Sequence, residues 1–309
     1  MVTPPDTDPE SISFHVGDDE DGERLDRLVS IHAKVGRRKV AELFQRGAVR
    51  VRGRVIKKGV IARSGEEVTV RLAPLILPEP GLPLDVRLET KYVVVANKPA
   101  GQPTAPARDG DAGTLAGALL ARYPEMAGVG YRAREPGLLH RLDTGTSGLV
   151  VAARSEAVFT VLRRGLGEGR IEKRYLAVVL ASGLPESGMI ACRLEPDPRD
   201  GRRVVVIGEA QDTSAPHVSH YKVIRGEGSW ALVEVLARHA YRHQVRVHLA
   251  SIGHPIAGDA LYGGPEAPLP GGRHALHASY VAWAGEADVP AFAVDCPLPI
   301  DFEAFGFPR

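Results

Sequence analysis

Asp143 lies in a polar loop, His140-Arg141-Leu142-Asp143-Thr144-Gly145-Thr146-Ser147-Gly148, between Leu138-Leu139 and the apolar run Leu149-Val150-Val151-Ala152-Ala153. A carboxylate on a tight turn between two hydrophobic segments stands where rigid scaffolds commonly present catalytic groups. Arg141, two residues back, and His140, three back, would each favour an ionised Asp143. An ionised, fixed aspartate can act as a nucleophile. The plainer role is a turn-former whose carboxylate bonds its own backbone.

Two further stretches carry reactive side chains. In Glu172-Lys173-Arg174-Tyr175-Leu176-Ala177-Val178-Val179, Tyr175, Ala177 and Val179 share one strand face, so Tyr175 can reach a cleft at the strand's edge. In Arg238-His239-Ala240-Tyr241-Arg242-His243-Gln244-Val245-Arg246-Val247-His248, His239 and His243 have the i,i+4 spacing of helical metal ligands. No carboxylate pattern accompanies them, so no metal is expected. Cys192 and Cys296 stand alone, without a Cys-x-x-Cys pair, which argues against a zinc site or disulfide framework and fits a reducing cytoplasm.

The elements that must hold these groups can be read from periodicity. Leu25, Leu28 and Val29, then Val40, Leu43 and Phe44, keep helical spacing, with Gly36 between them and Gly47 after. Val49-Arg50-Val51-Arg52-Gly53-Arg54-Val55 alternates around a glycine as a hairpin with one cationic face, and a strand over 67–72 follows. Tyr92-Val93-Val94-Val95-Ala96 suits a strand buried on both sides, Thr114 to Arg122 a helix, and Ser155 an N-cap for the helix carrying Val158, Phe159 and Leu162. Trp230 to Ala237 is another strand. Many strands with few helices make the fold α+β.

Charge divides the chain. Residues 1–21 hold seven acids and no Lys or Arg, and read as a flexible tail rather than a signal peptide. From Glu23 to Leu75 there are 14 Lys and Arg against five acids, a net of +9 within a chain whose total is +1. Arg24, Arg37, Arg38, Lys39, Arg50, Arg52 and Arg54 in this stretch form a candidate phosphate-binding surface. Four prolines between 74 and 83 mark a linker. The expected division is a tail, 1–21, a basic module, 22–73, a linker, 74–87, and a catalytic domain, 88–309. No apolar run approaches membrane-spanning length.

The loop string resembles the His-Arg-Leu-Asp-x-x-Thr-Ser-Gly signature of the RluA-type pseudouridine synthases, in which the aspartate is the nucleophile. Asn97-Lys98-Pro99-Ala100-Gly101 is similar to the motif that opens the same catalytic domain, and Lys173-Arg174-Tyr175-Leu176-Ala177-Val178-Val179 to the one whose tyrosine stacks on the target base. His243, Gln244, Arg246 and His248 match the Thr-Gly-Arg-Thr-His-Gln-Ile-Arg-Val-His motif, from which 239–242 depart. Gly253 to Gly263, Ala275 to Ala278 and Cys296 to Pro299 match further, so the likeness spans about 91–305. The basic module resembles an S4 RNA-binding domain at Arg24-Leu25-Asp26, at Gly36-Arg37-Arg38 and at Gly47 to Gly53, with Gly36, Arg38 and Arg52 replacing the usual Ser, Ser and Asn.

The resemblance implies a mostly antiparallel mixed sheet behind an S4-like module, and conversion of uridine to pseudouridine in RNA. Asp143, Tyr175 and Arg246 would be catalytic, with Arg246 pairing with Asp143. His140, Arg141, Thr146, Arg242, His243 and Gln244 would bind substrate, Arg141 filling the gap left by the extruded base. The reaction moves a glycosidic bond from N1 to C5 without any outside atom or electron, so no cofactor or metal is required. Attack at C1′ and departure through a glycal both remain open. The S4 likeness favours large-subunit ribosomal RNA over tRNA. The chain is expected to be a cytoplasmic monomer. One rival is a non-catalytic RNA-binding or ribosome-assembly factor, to which the altered 239–242 string points. The other is a glycosidase-like hydrolase, which wants two carboxylates where the motifs offer one.

Overall fold

The computed structural model describes residues 11–45, 47–72, 76–108, 110–132, 134–208, 216–239, 241–286 and 288–308. Residues 1–10 of the acidic stretch, Arg46, Pro74 in the proline-rich stretch and Ala240 in the histidine-rich string lie outside them. Two sheets form.

The first contains β1 (Ser11–His15), α1 (Leu25–His32), α2 (Arg37–Gln45), β2 (Val49–Val51), β3 (Arg54–Val55) and β4 (Glu67–Arg71), in the strand order β1-β4-β2-β3. Leu25, Leu28 and Val29 of α1 and Val40, Leu43 and Phe44 of α2 close on Val49, Val51, Val68 and Val70. The helical and hairpin spacings thus put their apolar faces into one core.

From Ser11 onward, β1 corrects the reading of 1–21 as a flexible tail. It pairs antiparallel with β4, from Ser11 opposite Arg71 to His15 opposite Glu67. Ile12, Phe14 and Val16 alternate towards the core, and Val16 is fully buried. Three apolar residues at period two suffice for a strand when a partner edge waits, and the acids around them hide that pattern in composition. Two of the acids after β1 also have partners: Glu20 accepts from Gly17 N at 3.0 Å, and Asp21 from Ser64 N at 2.9 Å.

The β2–β3 turn is made by Arg52 (φ 48°) and Gly53 (φ 76°). Both central residues of such a two-residue hairpin need positive φ, for which Asn-Gly is favoured. Arg52 holds this conformation against its Cβ. Arg52→Asn is therefore expected to raise stability by about 0.5–1 kcal/mol, read as a higher denaturation midpoint. An unchanged midpoint would show that the arginine is not strained.

The second sheet comprises β5 (Asp85–Glu89), β6 (Val93–Lys98), β7 (Ser147–Ala153), β8 (Ile171–Leu180), β9 (Ser187–Pro196), β10 (Val204–Ile207), β11 (His217–Glu227), β12 (Trp230–Leu236), β13 (Leu276–Trp283) and β14 (Phe292–Asp295), with α3 (Leu115–Arg122), α4 (Glu156–Gly167) and α5 (Gln244–Ser251) packed on it. Its order is β10-β9-β11-β12-β8-β13-β7-β6-β5, with β14 added beside β13. All its named pairings are antiparallel except β7 with β13, where His277 and Ala278 lie opposite Ser147 and Gly148. At that junction the φ of Gly148 is +114°, and a Cβ would come within 2.3 Å of the Ala278 backbone, so only glycine fits. No helix among the described residues is long and apolar enough to cross a membrane.

β6 and β7 are covered on both faces, as their continuous apolar runs require. Val93, Val95, Leu149 and Val151 pack beneath Phe159 and Leu162 of α4, whereas Val94, Ala96, Val150 and Ala152 pack beneath Leu115 and Leu119 of α3. Ser155 caps α4 and Thr114 caps α3, each side chain accepting from a backbone N–H of the first turn. This sandwiching makes the start of β7, where the Asp143 loop ends, a rigid platform.

Candidate active site

The loop holding Asp143 is fixed on both sides of that residue. Thr104 Oγ1 accepts from Leu142 N at 3.1 Å and donates to Leu142 O at 2.7 Å. Thr144 O accepts from Gly101 N at 2.8 Å and from Lys98 Nζ at 3.3 Å. Lys98 is fully buried and also donates to the Pro99 and Gln102 carbonyls. Burial and the charge of Arg273 push its ammonium down to about 7, against the pull of Asp143. The strand exit at 98–104 is therefore the clamp that sets the backbone of Asp143.

The carboxylate is held from the other side. α5 starts at Gln244, directly after His243, whose φ of 57° turns the chain into the helix. This turn projects Arg246 inward, where Nη1 donates to Asp143 Oδ2 at 2.7 Å. The rest of the guanidinium forks onto Asp259, Nε to Oδ2 at 2.6 Å and Nη2 to Oδ1 at 2.8 Å. A two-toothed grip on one carboxylate leaves the third nitrogen aimed at the other. Burial pushes Asp143 upward, but His243, Arg246 and the Arg246 hydrogen bond outweigh it and hold the carboxyl below its ordinary value.

His243 Nε2 is 3.6 Å from Asp143 Oδ1, and Nδ1 is 2.7 Å from the Tyr262 hydroxyl, which accepts from Val204 N at 2.9 Å. With its oxygen so engaged, the Tyr262 proton is best placed on Nδ1, which leaves the imidazole N–H at Nε2 facing Asp143. Burial keeps His243 below its ordinary value despite Asp143. It is thus neutral at pH 7, and Arg246 is the standing cation.

Tyr175, Asp143, His243 and Arg246 line one inner recess, and burial together with the Asp143 charge pushes the Tyr175 phenol upward. The recess adjoins a cleft of about 1680 Å³ lined by His140, Arg141, Asp143, Arg242, His243 and Arg246, among others. The structure thus gathers Asp143, Tyr175, His243 and Arg246 from three separate segments: the loop before β7, β8, and α5 with its entry turn.

Other expected site residues land differently. His140 accepts from Val151 N at 3.3 Å, and burial, with Lys173 and Arg163, drives it down to about 3. Arg141 pairs with Glu135 at 3.0 Å. Neither local partner therefore sets the charge of Asp143, contrary to the reading of the loop alone. Thr146 is buried with its hydroxyl 2.7 Å from His274 Nε2. Gln244 accepts from Tyr241 N and donates to Val218 O and Ser219 Oγ, so its amide fastens the start of α5 to β11, while the residue, like Thr146, still lines the inner recess. Arg242 reaches the Gly201 and Arg203 carbonyls, at 3.0 and 2.6 Å, in the turn joining β9 and β10.

His239 and His243 do not share a helix, because α5 begins after both. Among the described residues no group of three or more His, Cys, Asp or Glu is placed to hold a metal. On the first sheet, Arg37, Arg38, Arg50, Arg52 and Arg54 are exposed, Lys39 pairs with Glu42 at 2.8 Å and Arg24 with Asp26 at 3.0 Å. Sequence reasoning gave Asp259, Tyr262, Lys98 and Thr104 no role. The first three stood inside matched strings, which was the available signal; Thr104 carried none.

A mixed, mostly antiparallel sheet thus carries a buried aspartate–arginine pair at the foot of a broad cleft. The family model for RNA pseudouridylate synthase matches residues 92–251, and the chain belongs to the RNA pseudouridine synthase family. It is 36% identical to an uncharacterized RNA pseudouridine synthase of Chloroflexus aurantiacus, over 91% of this chain and 88% of that one. It is 35% identical to the ribosomal large subunit pseudouridine synthase D of Xylella fastidiosa, over 84% of this chain and 77% of that one. Among solved structures, human RNA pseudouridylate synthase domain containing 1 shares the fold, with a TM-score of 0.55 and 24% identity over 73% of this chain and 89% of that one.

Proposed function

We propose that this enzyme isomerises uridines of large-subunit ribosomal RNA with Asp143 as the nucleophile. The observation that carries this reading is the Asp143 carboxylate, held ionised by Arg246 at 2.7 Å in a recess shared with Tyr175. The target nucleotide leaves the stack to enter that recess, where Tyr175 offers an aromatic face. Asp143 adds to C1′ as the N1–C1′ bond breaks; the uracil turns; C5 bonds to C1′ and releases the carboxylate. The C5 proton leaves as N1 gains one, so atoms balance with no cofactor.

The substrate class is supported by the relative named as a large-subunit synthase. It is supported too by the basic N-terminal unit, expected at 22–73 and extended by β1, which we read as S4-like and RNA-binding through Arg24, Arg37, Arg38, Lys39, Arg50, Arg52 and Arg54; the proline-rich stretch joins it to the catalytic unit, whose sheet starts with β5 at Asp85 and not at 88. The non-catalytic alternative rests on the altered 239–242 string, and the intact Asp143–Arg246–Asp259 chain favours catalysis over it.

The test incubates wild-type protein with unmodified transcripts of large-subunit ribosomal RNA and of tRNA, then maps pseudouridine by carbodiimide labelling and primer extension. A stop confined to the ribosomal transcript is expected. A stop on tRNA alone would move the substrate, and silence on both with binding retained would favour the non-catalytic factor.

A further inference from the structure

Tyr131 is 66% exposed, the most exposed of the large hydrophobic side chains among the described residues and the only aromatic one in that group. It lines the same cleft as Asp143. Ile300, the next most exposed at 60%, lines that cleft as well. The two largest apolar exposures among the described residues thus both fall in the cleft, and exposed apolar surface at a polar-rimmed groove marks a contact site.

The ring is also held still. Its edge-to-face partner is the buried Phe159, with centroids 5.4 Å apart and planes at 79°. Arg163 donates through Nε to the Tyr131 hydroxyl and lies 5.8 Å from the ring centroid, while its Nη1 donates to Leu139 O at 3.0 Å, one residue before the catalytic loop. Gly130 N donates to Glu156 Oε2 at 2.7 Å. Gly130 has φ +84°, and a Cβ there would meet Phe159 at 2.9 Å, so the chain turns tightly against that ring. Two more guanidinium groups line the same cleft, Arg132, next in the chain, and Arg141, which share Glu135 at 3.2 and 3.0 Å. A rigid aromatic face left in water among guanidinium groups is the arrangement that takes an unstacked base beside a phosphate.

We propose that Tyr131 is a stacking platform for an unpaired nucleotide flanking the target uridine, with Arg163 and Arg141 beside the adjoining phosphates. This deepens the reading of the cleft as the RNA site. The target base goes to Tyr175 in the recess; its neighbour rests on Tyr131 at the exposed part of the cleft. Sequence context is then read partly by stacking, which accepts any base, and the platform contributes to affinity rather than to the bond changes.

The experiment compares wild type, Tyr131→Ala, Tyr131→Phe and Tyr131→Trp on a single-stranded oligouridylate and on the ribosomal transcript. Tyr131→Ala is expected to weaken binding of both RNAs about tenfold, as loss of one stacked base does. Its single-turnover rate at saturating RNA stays within about twofold of wild type, while Tyr131→Phe binds as wild type does. Fluorescence of Tyr131→Trp, read against the wild-type background, is quenched on adding oligouridylate. Equal affinities of wild type and Tyr131→Ala on both RNAs, or an unquenched Tyr131→Trp protein, would overturn the platform. If wild type forms no pseudouridine but Tyr131→Ala still loses oligouridylate affinity, the assigned reaction fails and the platform stands.

Discussion

Asp143→Asn is expected to abolish pseudouridine formation while leaving RNA affinity within a few-fold of wild type. The substitution keeps shape and one oxygen for the Arg246 Nη1 contact at 2.7 Å, so the cleft, the Arg246–Asp259 fork and the recess persist. What it removes is the negative charge to which the proposed mechanism assigns the attack on C1′. Loss of a nucleophile whose partners remain in place costs roughly 10⁴-fold or more in rate. Carbodiimide mapping after long incubation reads the product, and filter binding reads the affinity. Turnover at the wild-type rate would exclude Asp143 as nucleophile.

The same carboxylate gives the pH dependence a sign. Because the folded Asp143 sits below its ordinary 3.8, its ion pair stabilises the protein fully above that value, and the contribution is lost as pH falls through the lower folded value. Wild-type activity should therefore stay level as pH descends through the range where free carboxylates protonate. Arg246→Met removes both the charge and the hydrogen bond of that residue and leaves His243 as the main opponent of burial, so Asp143 moves upward and the residual rate should climb with pH where wild type is flat. A residual rate independent of pH would show that Arg246 is not what keeps Asp143 ionised.

The Asp143–Arg246 pair was legible because each residue sits in a long, specific string. Its electrostatics were not. The loop offers Arg141 and His140 as neighbours, yet Arg141 turns to Glu135 and His140 to the β7 backbone. The groups that set the charge come from α5 and its entry turn, about a hundred residues on. A sequence gives residue types, but a side chain's direction follows from packing. Gln244 and Thr146 show this: both belong to matched strings, and both spend their polar atoms inside the protein. β1 was hidden for a different reason, since its alternation covers only three apolar residues among acids, too short to outweigh composition. The two-faced burial of β6 and β7 was readable from unbroken apolar runs, whereas the parallel contact of β7 with β13 depends on a pairing 130 residues apart that no local pattern encodes.

Asp259 was unmarked for the same reason, and its removal should have the second largest effect. Its side chain is 1% exposed, and both oxygens are taken by Arg246. Asp259→Ala would leave the guanidinium buried with only the Asp143 carboxylate for company. Breaking a buried pair from one side costs about 3–5 kcal/mol, because the remaining charge keeps its desolvation penalty. In a chain of this size that is about 5–8 °C of melting temperature. The catalytic consequence is separable from the loss of stability. Freed from Asp259, Arg246 can turn its whole fork onto Asp143, engaging the oxygen that must reach C1′. At a temperature where both proteins are folded, kcat should fall about 100-fold, the scale of a small misplacement of a reacting group, with KM nearly unchanged. Asp259→Asn keeps one acceptor and should lie between wild type and Asp259→Ala on both scales. Melting curves and single-turnover rates on the same transcript separate the two effects. A variant that melts early but turns over normally would make Asp259 a purely structural counter-ion. One that melts and reacts like wild type would mean that Asp143 alone suffices to hold Arg246 in place.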